Sequence, residues 1–101
     1  MGLLKSLQQR NICNLFHNYP NPFNPTTKIS WQSPVGSHQT LKISDMLGSE
    51  VATLVNEYRD AGSYELDFHP ASGIKNLASG IYFYSLQAGS FVETKKMIFL
   101  K

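Results

Sequence analysis

Cys13 and His17 stand four residues apart, the spacing at which a helix sets two metal ligands on one face. A tetrahedral zinc site needs a second such pair, and the other histidines, His38 and His69, stand alone in a turn region and at a strand end. The pair therefore reads as an incidental thiol and a solvated imidazole, and no metal is expected. Acid–base chemistry fares no better. Asp45, Glu50, Asp60 and Asp67 fall at turns and strand edges, where solvated carboxylates are ordinary, and sequence alone does not place two of them at the separation a glycosidase pair needs. There is no G-x-S-x-G elbow, no P-loop and no dinucleotide glycine pattern. Function has to be argued from a site; with no catalytic residue and no cofactor expected, the chain reads as a non-enzyme.

The elements that remain must therefore carry a binding or structural role. The 101 residues suffice for one domain. With 42% hydrophobic and 16% charged residues, the composition argues against disorder and for a surface of uncharged polar groups. Six Phe, five Tyr and one Trp favour pleated, half-buried surfaces. The net charge of +2 is spread too evenly for the basic face that nucleic acid requires, so no nucleic-acid partner is expected. The single cysteine excludes an internal disulfide. MGLLKSLQQR has no apolar h-region and is not a secretory signal peptide; its match to the myristoylation pattern at Gly2 and Ser6 reads as chance.

Residues 1–17 read as a leader or linker, in which Leu3, Leu4, Leu7, Ile12, Leu15 and Phe16 are compatible with a short helix. NYPNPFNPTT follows, interleaving Asn18, Asn21 and Asn24 with Pro20, Pro22 and Pro25 around Tyr19 and Phe23. Three prolines so close exclude helix and leave a stiff, kinked segment, its turns supplied by asparagines bonding their own backbone.

From Thr27 onward the pattern is one of short strands. Ile29 and Trp31 point inward, then Leu41 and Ile43, with a turn at 34–37 between them. Asp45-Met46-Leu47-Gly48 reads as a hairpin loop with Gly48 left-handed. Glu50–Val55 fits a helical spacing through Val51, Leu54, Val55 and Tyr58, yet its β-branched residues and its neighbours favour a strand. Tyr64, Leu66 and Phe68 alternate inward. Residues 70–80 form a longer connection with Leu77 beneath it, and Ile81–Leu86 is apolar enough to be a central strand covered on both faces. Tyr82, just after a glycine, suits a tyrosine corner. Six or seven strands at intervals of about ten residues predict an all-β, immunoglobulin-like antiparallel sandwich.

The last strand breaks the alternation expected at a sandwich edge. Met97 and Phe99 face one side, Ile98 and Leu100 the other, between Lys95–Lys96 and Lys101. One reading is a strand covered by the leader or by the 70–80 connection, with lysines guarding an edge against aggregation. The other is a partner-facing strand, read by strand addition or by its apolar outer face.

The ordered blocks NYPNPFNPTT, LKISDMLGSEVATLVN, AGSYEL, LASGIYFYSLQAGSF and TKKMIFLK, from about Leu15 to Lys101, resemble the type A C-terminal sorting domain of the bacterial type IX secretion system. The resemblance implies a seven-stranded immunoglobulin-like domain over 18–101, at the end of a larger protein exported by Gram-negative bacteria. Its implied partners are an N-terminal cargo, an outer-membrane translocon and a surface sortase that removes the domain, and its implied route runs from periplasm to cell surface or medium. Gly80 and Tyr82 match the family's glycine-x-tyrosine motif. Lys95, Lys96 and Lys101, with Met97 and Phe99 among them, match its basic terminal motif. Asn18 to Pro25 and Gly48 match its structural blocks. His17 replaces a usual glutamine, and Ser44 replaces a usual aromatic, a change expected to thin the core by about 2–4 kcal/mol. A second reading is a structural or adhesive module, similar over 40–86 to the immunoglobulin-like domain of flagellar hook-capping proteins; a carbohydrate-binding variant would use Trp31 or Tyr58 as exposed aromatics.

Overall fold

The computed structural model describes residues 12–70 and 77–100. Among them lie seven strands: β1 (Asn14–Leu15), β2 (Thr27–Ser33), β3 (Ser37–Ser44), β4 (Glu50–Arg59), β5 (Gly62–Phe68), β6 (Gly80–Ala88) and β7 (Phe91–Phe99). All pair antiparallel, in a three-stranded sheet of order β1-β2-β5 and a four-stranded sheet of order β4-β3-β6-β7. The two sheets enclose one core, in which Ile29, Trp31, Leu41, Ile43, Tyr84, Leu86 and Met97 are fully buried. The all-β sandwich expected from the strand pattern is the fold.

The alternation read from β2 and β3 holds residue by residue, and the β3–β4 hairpin closes as expected. The Asp45 carboxylate accepts hydrogen bonds from the amides of Leu47 (2.9 Å) and Ser49 (3.0 Å), while Gly48 sits at φ +86°. The mixed spacing in β4 has a physical cause. Leu41 pairs with Val55 but Lys42 with Thr53, and Ile43 pairs with Ala52 but Ser44 with Glu50. Leu54 and Val51 are thus extra residues in bulges, which bring 51, 54 and 55 to the core side at a helix-like interval.

Several expectations are corrected. Residues 1–11 lie outside the described residues, but the rest of the leader is no helix: Asn14 and Leu15 pair with Gln32 and Trp31, and Leu15 joins the core. β6 is central, between β3 and β7, yet it is fully buried on one face only; Ile81, Phe83 and Ser85 on the other are half-buried. Ser44 lies on that outer face, paired with Phe83, so it removes nothing from the core. Trp31 is 0% exposed and is no sugar platform. It stacks on Tyr64 (5.7 Å), donates from Nε1 to Gln39 Oε1 (2.9 Å), and has the Arg59 guanidinium 5.8 Å from its ring.

Candidate recognition strand

β7 owes its position to a long antiparallel pairing with β6, from Ala88↔Phe91 at the Gly89–Ser90 turn to Gly80↔Phe99. Its side chains alternate: Phe91, Glu93, Lys95, Met97 and Phe99 share the inner face, and Val92, Thr94, Lys96 and Ile98 the outer. Met97 and Phe99 are core residues, Ile98 is half-buried, and Leu100 is 50% exposed. The two lysines of the basic motif consequently part company. Lys95 lies on the inner side at the sandwich rim, its ammonium 3.2 Å from Glu93, whereas Lys96 is exposed on the outer face. Lys101 lies outside the described residues.

At its end β7 is flanked by the proline–asparagine segment, while Leu77 of the 70–80 connection packs against the core that holds Met97 and Phe99. Phe23 donates its amide to Ile98 O (2.9 Å) and accepts from Leu100 N (3.0 Å), forming a parallel bridge opposite Phe99. Asn21 Oδ1 accepts the Ile98 amide at 2.9 Å, so this asparagine serves β7 instead of its own turn. The Phe23 ring, itself buried, stacks on Phe99 of one sheet (5.2 Å, 27°) and tilts against Phe68 of the other (6.3 Å, 58°). Asn18 anchors the strap's other end, donating from Nδ2 to Thr27 Oγ1 (3.0 Å) and Pro20 O (3.3 Å). Pro20, Pro22 and Pro25 follow cis peptide bonds, and Tyr19, Asn24 and Pro25 are exposed.

On β6, Gly80 sits opposite Phe99 with φ +154°, a conformation that side chains rarely adopt, although among the described residues a Cβ there would meet nothing within 4 Å. Tyr82 faces Met97, and its hydroxyl donates to Ala78 O at 2.7 Å, the upstream bond of a tyrosine corner. Burial, with the Asp45 charge, pushes this phenol upward; the bond to Ala78 partly offsets it.

Tyr84 was not singled out by the sequence, and it ties the sheets together. Its hydroxyl donates to Phe16 O (2.7 Å) and accepts from Asn18 N (2.9 Å), and burial pushes its pKa to about 12. Its signal was its inward parity with Tyr82 in IYFYSL, since a buried phenol needs a partner for its hydroxyl. Gly80, Tyr82, Met97 and Phe99 thus meet at one end of the four-stranded sheet, with Phe23 packed against Phe99, and the Asp45–Gly48 hairpin lies at that same end. Among the described residues there, Met46, Leu47 (91% exposed) and Leu100 are exposed apolar side chains.

Among the described residues no three His, Cys, Asp or Glu side chains cluster as metal ligands. The Cys13 thiol is 3.7 Å from Ser33 Oγ.

Comparison with known proteins gives a family. The model of the secretion system C-terminal sorting domain matches residues 17–100. No curated protein sequence matches. Among solved structures the fold is similar to part of PorZ, a surface component of the type IX secretion system of Porphyromonas gingivalis, with TM-score 0.60, 17% identity, and 87% of this chain covered. This chain spans 12% of the length of that PorZ chain. A seven-stranded sandwich closed by this terminal strand, and matched by the family over residues 17–100, belongs to the secretion system C-terminal sorting domains, the sorting signals of type IX secretion.

Proposed function

We infer that the chain is the export tag of a larger precursor: it takes an N-terminal cargo from the periplasm to the outer-membrane translocon and is then removed by a surface sortase. The observation that carries this reading is β7, a terminal strand held in the core by Met97 and Phe99 while Lys96, Ile98 and Leu100 face outward at its end. The tag makes and breaks no bond. It is a substrate of the processing machinery and not an enzyme, and its role is to present a shape and a charge.

Gly80, Tyr82, Met97 and Phe99 build the support for that surface, and Lys95, Lys96 and Lys101 supply its charge. The three lysines are not equivalent in this role. Lys95 has its charge partnered by Glu93, so of the two described lysines Lys96 is the cation that recognition uses first. Deleting residues 95–101 is a poor test, since it also removes two core side chains. The test is a reporter carrying a Sec signal ahead of the full chain, expressed in cells with an intact type IX system and compared with the Lys96→Ala/Lys101→Ala variant. Surface delivery of the first and periplasmic retention of the second is expected. Equal delivery of both contradicts the role given to these lysines.

A further inference from the structure

The strap at 21–23 decides which parts of β7 a partner is able to reach. Along β7 the backbone groups of alternate residues point to opposite edges. Ile98 bonds away from β6 through both its N and its O, so by this alternation Val92, Thr94 and Lys96 also point to the free edge, and Phe91, Glu93, Lys95, Met97 and Phe99 point to β6. At the end of the strand this edge is occupied, because Ile98 N meets Asn21 Oδ1 while Ile98 O and Leu100 N meet the Phe23 backbone. Among the described residues, Val92, Thr94 and Lys96 have no backbone partner on that side. Strand addition is therefore blocked over the final residues, and what they offer outward is side chains: Ile98 half-buried and Leu100 exposed, beside Ile81 and Phe83 of β6.

We propose that Asn21 and Phe23 are positioning residues for sorting: they close the edge of β7 and fix its last residues so that the machinery reads this strand end by its outer-face side chains and not by adding a strand. The proposal rests on the sorting reading above and makes recognition at residues 97–100 depend on a side chain 77 residues upstream. Asn21 is the cleaner handle. It is exposed, and its carbonyl oxygen makes a single bond to β7 while Phe23 fills the core independently.

The test combines amide hydrogen exchange on the purified full chain with delivery of the reporter fused to the full chain. Asn21→Ala removes the acceptor, Asn21→Asp keeps one, and Ile29→Val weakens the other sheet by a comparable amount while leaving the Asn21–Ile98 bond intact. Asn21→Ala is expected to speed exchange at the Ile98 amide by roughly fivefold or more, leave Leu41 and Leu86 protected, and lower reporter delivery. Asn21→Asp is expected to restore both, and Ile29→Val to deliver normally. Faster Ile98 exchange with normal delivery overturns the proposal, as does unchanged exchange. Equal loss of delivery in Ile29→Val also overturns it, by assigning the effect to overall stability. If the unmodified fusion stays in the periplasm, the sorting reading itself fails and the proposal falls with it.

Discussion

Two residues of β6 show how single atoms hold the sandwich. The Tyr84 hydroxyl is the buried link between Phe16 O and Asn18 N, so Tyr84→Phe strands both and is expected to cost about 1–3 kcal/mol at neutral pH, read from urea denaturation. Its pH dependence has a definite sign. The fold raises the Tyr84 pKa from 10.0 to about 12, so it favours the protonated phenol. The stability this group contributes is complete below pH 10 and is lost as pH rises through about 12, with Tyr82 shifted in the same direction. The gap between wild type and Tyr84→Phe should therefore narrow across that range; a gap constant to pH 12 contradicts the assignment. Gly80 is a backbone case. A methyl group at Gly80 meets no described atom within 4 Å, so the expected cost of Gly80→Ala, about 1–3 kcal/mol, is assigned to φ +154°. A neutral result in thermal unfolding shows that the turn relaxes.

At the scale of elements, the strap and β4 mark where the sequence was legible and where it was not. Strands with strict alternation, such as Lys28–Gln32 and Thr40–Ser44, declare their inner face directly, because a period of two leaves no other assignment. β4 declares a mixed period because two bulges insert residues at Val51 and Leu54, and only the register against β3 resolves it. The strap was legible as stiff and non-helical, yet its destination was not. No local pattern states that Asn21 reaches Ile98 or that Phe23 enters between Phe68 and Phe99, since those contacts are set by the packing of the two sheets. The residues of the terminal motif were legible as a group, but their division between two faces, with Lys95 beside Glu93 and Lys96 outward, needed the strand's position in the sheet. The strap's packing makes a quantitative claim. Phe23→Ala leaves a cavity between the sheets and is expected to cost about 3–5 kcal/mol, measured as a fall in the urea midpoint. Leu100→Ser, at a half-exposed position, is expected to change stability by less than about 1 kcal/mol while lowering reporter delivery, the split that separates presentation from folding.

At the scale of the whole molecule, the sandwich is a rigid mount for its last strand. Met97 and Phe99 anchor β7 in the core, β6 pairs with it on one edge, and residues 21–23 close the other at its end. A disordered tail of the same terminal sequence is therefore expected to be a weaker sorting signal than the folded domain. The most direct measurement of that claim is delivery of a Sec-exported reporter fused to the full chain, compared between cells with an intact type IX system and otherwise identical cells in which the system is disabled. The account predicts reporter at the surface or in the medium only in the first, and reporter held in the periplasm in the second. Equal distribution in the two strains contradicts it.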